Sequence, residues 1–138
     1  MWYTSRRKEN TTTNTDTAEA ELAKERHRNL DIWKNAVALT ARIYELTRAF
    51  PKDEIFGLTN QLRRASVSVA SNIAEGSKRP DPDFRRFLDC SLGSLAEIDT
   101  QLLISEMQGF CTYSQELKAV LIGLTAGIRR FKASLRSN

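Results

Sequence analysis

The sequence has few of the residues on which catalytic and metal sites depend. It contains one histidine, His27, and two cysteines, Cys90 and Cys111, which lack the paired spacing of a zinc site or a disulfide framework. A serine or cysteine nucleophile normally needs a nearby histidine base, and the serine-rich segment 66–71 has none. We therefore predict two reduced thiols, no metal site, no cofactor and no enzymatic activity.

Long apolar runs are also missing. No stretch approaches the roughly 20 apolar residues that a membrane-spanning helix requires. The first eight residues end in Arg6, Arg7 and Lys8, and no apolar segment follows these charges as it would in a signal peptide. We therefore expect no membrane association and a cytoplasmic location. With 41% hydrophobic and 28% charged residues, the chain has the composition of one globular domain.

Apolar residues at helical spacing are abundant. Four stripes recur at intervals of three and four residues, as in amphipathic helices, and they cover residues 32–50, 55–69, 84–102 and 117–135. Short polar connections between helices favour antiparallel neighbours. The sequence therefore predicts an all-α fold, an antiparallel up-down-up-down four-helix bundle over residues 29–138. Residues 1–28 are predicted to form a flexible or partly helical N-terminal extension.

Polar residues mark three predicted helix starts. Asp16 and Thr112 each precede an acidic or amide residue by three positions, which is the spacing of a capping box. Asp81 precedes Pro82 and is predicted to be the N-cap of the third helix of the bundle.

The second predicted helix is rich in small residues, which favours close packing against the third. A hairpin centred near Arg79 would place Ala65 opposite Gly93, and Ser66 near Leu92. Apolar residues also lie beside the main stripes of the first and third helices, at Trp33, Val37, Tyr44, Phe87, Leu92, Leu103 and Ile104. One core cannot easily cover both sets, so we expect a second apolar surface that serves as a subunit interface.

Several ordered motifs resemble the four-helix-bundle family encoded in 23S ribosomal RNA intervening sequences. They are Asp31-Ile-Trp-Lys, Phe50-Pro-Lys, Gly57-Leu-Thr, Gln61-Leu-Arg-Arg-Ala, Ser71-Asn-Ile-Ala-Glu-Gly, Phe87-Leu and Gly93-Ser-Leu-Ala-Glu-Ile-Asp-Thr-Gln-Leu. The resemblance implies a four-helix bundle and a ring-like homopentamer. It also implies kinship with accessory proteins of diversity-generating retroelements, which assist a reverse transcriptase and bind nucleic acid. Ala70 stands where the family commonly has proline, so the second helix is expected to be straighter here.

Basic residues are predicted to gather at one end of the bundle. In an antiparallel arrangement, the second helix ends, the third begins and the fourth ends at the same pole. We call this cluster the basic pole, and it comprises Lys78, Arg79, Arg85, Arg86, Arg129, Arg130, Lys132 and Arg136. The cluster is typical of sequence-tolerant binding to phosphates. The alternative is a solvated rim that keeps the protein soluble, since Asp81, Asp83 and Asp89 partly offset the charge.

Two smaller groups of residues are further candidates. Arg63 and Arg64, with Trp33 and Tyr44, are predicted to serve a subunit interface or a ligand, and the alternative for the arginines is ordinary surface ion pairs. Asn72 and Glu75 lie where an apolar stripe fades. They are predicted to form a buried polar network that fixes helix register, with a functional site as the alternative.

These observations lead to two hypotheses. The first is a non-enzymatic oligomer, a pentamer by resemblance, that binds RNA or DNA through the basic pole. The alternative is a structural or adaptor oligomer that binds a protein partner such as a reverse transcriptase.

Overall fold

The computed structural model describes residues 5–138, with side chains from residue 14 onward, and these residues form five α-helices and no β-strand. The helices are α1 (Ser5–Leu22), α2 (Asp31–Thr47), α3 (Leu58–Gly76), α4 (Asp81–Met107) and α5 (Gln115–Ser134), with 3₁₀ turns at Arg26–Asn29 and Lys52–Glu54. The predicted all-α class is confirmed. None of the described helices combines the length and apolarity needed to cross a membrane.

The N-terminal extension contains α1 and the first 3₁₀ turn. Residues 1–4, which belong to the segment predicted to be flexible, lie outside the described residues. Asp16 lies within α1 and does not start a helix, because α1 already begins at Ser5. The side chains of residues 14–22 are exposed.

The four apolar stripes form a common core. Ile43, Leu62, Phe84 and Ile128, one from each of α2 to α5, are completely buried. Helix α2 packs against α3 and α5, and α4 packs against the same two helices. Burial of a large aliphatic or aromatic side chain contributes about 1.5–3 kcal/mol, so these stripes account for the association of the helices.

Helix starts differ from the sequence prediction at two places. Ser114, rather than Thr112, caps α5, and its Oγ accepts a hydrogen bond from the Leu117 amide at 3.1 Å. The Tyr113 amide donates to Glu106 Oε2 at 2.6 Å, which ties the chain to α4 just before α5 starts. Asp81 is the first residue of α4 and does not cap it, because Pro80 occupies the N-cap position.

The hairpin of α3 and α4 has a different register from the predicted one. Ser91 Oγ donates to the Val69 carbonyl at 2.9 Å, and Ser94 Oγ donates to Ser68 Oγ at 3.0 Å. Ala65 shares a groove with Ser94 and Glu97, and a Cβ on Gly93 would have no neighbour within 4 Å. The predicted pairing of Ala65 with Gly93 is therefore wrong, and the register is shifted by about half a helical turn to one turn.

Gly76 is the glycine at which α3 and α4 approach each other closely. A Cβ at this position would lie 2.7 Å from both the Phe84 ring and Phe87 Cβ. Because Phe84 is completely buried, its ring has little room to move. This contact, next to the turn that connects α3 to α4, fixes where α4 begins to pack. It therefore explains the shift in register. Leu92 faces a groove between α4 and α5, so its predicted proximity to Ser66 is not observed.

Candidate functional site

The structure brings the parts of the basic pole together. Lys132 Nζ on α5 lies 2.6 Å from Asp89 Oδ1 on α4. The Arg136 amide donates to Asp81 Oδ2 at 3.0 Å, so the end of α5 meets the start of α4. The end of α3 is joined to the segment before α2 by an ion pair between Lys78 and Glu25.

Five of the eight predicted residues are already engaged within the chain. Arg79 lies 3.6 Å from Glu75 and Arg86 lies 3.7 Å from Asp83, and Lys78 and Lys132 have the ion pairs described above. Arg85 is half-buried and donates to the Lys132 carbonyl at 2.6 Å and to the Leu135 carbonyl at 3.3 Å. Arg85 therefore satisfies carbonyls at the end of α5, which is a structural role.

The other three residues are exposed arginines that have no ion pair among the described residues. Arg129, Arg130 and Arg136 have no carboxylate within 4 Å in the part of the chain that the structure describes. Arg129 borders the groove between α4 and α5, and Arg130 borders the groove between α2 and α5. Unpaired guanidinium groups on both sides of one helix end are available for phosphate oxygens.

Two further arginines lie at the same end and were missed by the sequence analysis. The Arg26 guanidinium lies 5.2 Å from the centre of the Phe84 ring and 6.0 Å from that of Phe131. Arg28 lies 5.6 Å from the centre of the Trp33 ring. Stacking on aromatic rings holds an arginine without neutralising it. The basic run at residues 26–28 was the available signal, but it lies at the edge of the extension.

Arg63 and Arg64 project into different grooves. The Arg63 guanidinium lies 4.7 Å from the centre of the Tyr44 ring, and its Nε donates to Thr47 Oγ1 at 2.9 Å. Arg64 is exposed beside a polar groove between α3 and α4. Trp33 is half-buried and packs edge-on against His27 at 5.1 Å, so part of its ring is covered by its own chain.

Only one of the two predicted buried polar residues lies in a network. Asn72 is half-buried and donates to the Ser68 carbonyl at 2.8 Å and to Ser68 Oγ at 3.0 Å. The Ser94 hydroxyl extends this network to α4. The prediction that Glu75 is buried is wrong, because its side chain is exposed near the end of α3 and pairs with Arg79.

The surplus apolar residues divide into two groups. Trp33, Phe87 and Leu92 are half-buried by their own chain. Four others keep large exposed fractions, namely Val37, Tyr44, Leu103 and Ile104. Val67 on α3 is also exposed and was not identified from the sequence.

Comparison with known proteins identifies the family of the chain. Among the described residues, no group of histidine, cysteine and acidic side chains is arranged to hold a metal ion. No curated protein sequence matches the chain. The model of the 23S rRNA-intervening sequence protein family matches residues 28–130, which include α2, α3, α4 and most of α5. The chain therefore belongs to the 23S rRNA-intervening sequence protein family.

Proposed function

We propose that this protein is a non-enzymatic oligomer that binds RNA or DNA through the basic pole. In this proposal, α2 to α5 form an up-down-up-down antiparallel four-helix bundle. The packing of each helix on its sequence neighbour supports this arrangement, as does the contact between α2 and α5 that closes the set.

The proposal rests mainly on Arg129, Arg130 and Arg136, whose exposed guanidinium groups have no ion pair in the part of the chain that the structure describes. Arg26 and Arg28 extend the same charged surface on aromatic supports. Contacts of this kind are made with the phosphate backbone and carry no base preference. Binding should therefore tolerate different sequences and weaken steeply as salt rises.

A charge-reversal experiment tests this proposal. Single-stranded RNA and duplex DNA would be titrated at two salt concentrations against the wild type and the triple variant Arg129→Glu, Arg130→Glu and Arg136→Glu. The matched control is Arg48→Glu, Lys52→Glu and Arg64→Glu, which changes the net charge equally at exposed positions away from the basic pole. Arg85 is left unchanged because of its role at the end of α5.

The expected result is selective loss of binding in the first variant. Removal of three phosphate contacts should also reduce the slope of log K against log salt by about 2 to 3 for duplex DNA. The control should retain most of the affinity. Absence of binding by the wild type at low salt, or equal binding by the two variants, contradicts the proposal.

Oligomerisation is supported by a different surface. Val37 and Tyr44 on α2 and Val67 on α3 remain between 39% and 43% exposed, and such side chains are commonly covered at interfaces. We expect a homo-oligomer, and the family resemblance favours a pentamer. Light scattering at micromolar concentration measures the mass; a monomer contradicts both statements, and a dimer or tetramer contradicts the pentamer alone.

The second candidate function is an adaptor that binds a protein, such as a reverse transcriptase. The observation favouring it lies at the end of the molecule opposite the basic pole, where Phe56 is 91% exposed and Met107 is 76% exposed. Exposed aromatic and methionine side chains are enriched at protein interfaces. Copurification of the protein with a product of a neighbouring gene, lost on Phe56→Ser and retained in the arginine variant, would favour this function.

A further inference from the structure

Another groove, of about 390 Å³, lies where α2 ends and α3 begins. Its lining includes Thr47, Arg48, Phe50, Lys52, Thr59 and Arg63. The groove therefore combines three cationic side chains with two hydroxyl groups and an apolar wall. It lies at the opposite end of the molecule from the basic pole.

Arg63 is held in a fixed orientation beside this groove. Tyr44 supports one face of the guanidinium, and Thr47 Oγ1 accepts the hydrogen bond from Nε. Thr47 is itself oriented by donating to the Ile43 carbonyl at 2.7 Å. No described residue accepts a hydrogen bond from either terminal nitrogen of Arg63. This leaves the two-nitrogen edge that binds carboxylates bidentately.

Thr59 adds a hydroxyl donor to the groove. Its residue surface is only 3% exposed, and its hydroxyl has no hydrogen-bond partner among the residues that the structure describes. Thr59 lines the same groove as Arg63. The hydroxyl oxygen itself still reaches the groove, so it is available to donate a hydrogen bond to a bound group.

The charges around the groove favour an anionic ligand. Arg48 is already paired with Glu45 at 2.7 Å. Glu54 Oε2 accepts the Leu58 amide at 2.9 Å, so this acid is used at the start of α3. Lys52 and Arg63 remain as cations without a carboxylate partner in the described chain.

We propose that this groove binds a monocarboxylate with an apolar substituent. The carboxylate would accept from the terminal nitrogens of Arg63 and from the Thr59 hydroxyl, and Lys52 would add charge. Phe50 and the exposed side chain of Ile55 would contact the apolar part. The proposal does not depend on nucleic-acid binding.

Phenylacetate is the probe for this proposal. Amide chemical shifts of the full chain would be followed during titrations with phenylacetate, its neutral analogue phenylacetamide and inorganic phosphate. Phenylacetate should shift amides within residues 47–63, whereas phenylacetamide should bind at least about tenfold more weakly, because it lacks the charge that Arg63 recognises. Phosphate should bind more weakly than phenylacetate, since it gains nothing from the apolar wall.

Two variants and a matched control assign the site. Arg63→Gln should weaken phenylacetate binding about 10- to 100-fold, as expected for loss of a charged hydrogen-bonding group. Thr59→Val keeps the side-chain shape and should weaken it about 3- to 10-fold, which preserves the test if Arg63→Gln does not fold. Arg64→Gln removes the neighbouring charge from a different groove and should leave the affinity unchanged.

Three results would overturn the proposal. The first is absence of saturable shifts within residues 47–63. The second is unchanged affinity in folded Arg63→Gln or Thr59→Val. The third is binding of phosphate as tight as that of phenylacetate, which would show an unselective anion site. Failure of this test leaves the basic pole unaffected, because the Arg129, Arg130 and Arg136 variant is measured separately.

Discussion

The contact between α3 and α4 and the contacts of α5 with its neighbours are built differently. Small side chains bring α3 and α4 together, with Ser91 completely buried and bonded to α3, and Gly76 against Phe84. By contrast, grooves of about 570 and 630 Å³ flank α5 on its α4 and α2 sides. The α3–α4 hairpin is therefore the closely packed part of the molecule, and α5 is attached over a smaller area.

The polar links of the two regions differ as well. Hydroxyl groups join α3 to α4, through Ser91 to the Val69 carbonyl and through Ser94 to Ser68. Charged side chains join α4 to the α5 region, including Tyr113 to Asp99 and Lys132 to Asp89. Serine hydroxyls do not titrate in the ordinary pH range, whereas the links to α5 depend on ionisable groups. The attachment of α5 should therefore respond more strongly to pH and salt.

The largest expected effect comes from filling the closest approach of α3 and α4. Gly76→Ala places a Cβ 2.7 Å from both Phe84 and Phe87, so the helices must separate. Overpacking of this kind costs about 1–3 kcal/mol of stability. Chemical denaturation would measure the loss. An unchanged unfolding midpoint would show that α3 and α4 are not closely packed at Gly76.

A smaller, pH-dependent effect is expected at Tyr113. Burial raises the pKa of the Tyr113 hydroxyl above its usual value, and the hydrogen bond to Asp99 and the Asp99 charge raise it further. Because the pKa is higher in the folded state, this contribution is fully present below the unfolded pKa of 10.0 and is lost as pH rises above it. Tyr113→Phe removes the hydrogen bond at a cost of about 1 kcal/mol at neutral pH.

Stability from pH 8 to 11 would be compared between the wild type and Tyr113→Phe. The difference between the two proteins should shrink at the alkaline end, and hydrogen exchange in the wild type should increase in α5 before it increases in α3. A difference that stays constant across this range would contradict the role assigned to Tyr113.

The smallest effects are expected at glycines that face open space. A Cβ on Gly93 or Gly123 would have no neighbour within 4 Å, and both residues lie within helices. Replacement by alanine should stabilise the protein by about 0.5–1 kcal/mol, since glycine loses more backbone entropy in a helix. Thermal unfolding would measure the change, with Gly76→Ala as the opposing control. Destabilisation by Gly93→Ala would indicate that Gly93 has a close neighbour, as the pairing with Ala65 predicted from the sequence requires.

Helical periodicity made most of the fold predictable. The stripes of apolar residues correctly identified α2 to α5 because burial depends mainly on spacing along a helix. The register of the α3–α4 hairpin was not predictable in the same way. The register depends on where Phe84 packs against Gly76. The sequence reveals that α3 is rich in small residues, but it does not reveal which of them lies closest to α4.

The candidate sites were predictable only in part. Charge clustering in the sequence located Arg129 and Arg130, whereas it could not show that Arg85 is used to satisfy carbonyls of α5. The groove beside Arg63 depends on Thr59, which has no distinctive sequence signature. The position of its hydroxyl at the groove, without a hydrogen-bond partner among the described residues, becomes apparent only when the surrounding side chains have been placed.

The link from Arg85 to the end of α5 has a consequence for folding during synthesis. The carbonyl acceptors at Lys132 and Leu135 lie 47 and 50 residues after Arg85. Helices α2, α3 and α4 leave the ribosome before α5, and the face of α4 that receives α5 remains uncovered until residues 115–135 follow. Domains commonly begin to fold before synthesis is complete. The nascent chain should therefore pass through an aggregation-prone stage, which chaperones that bind apolar surfaces would recognise.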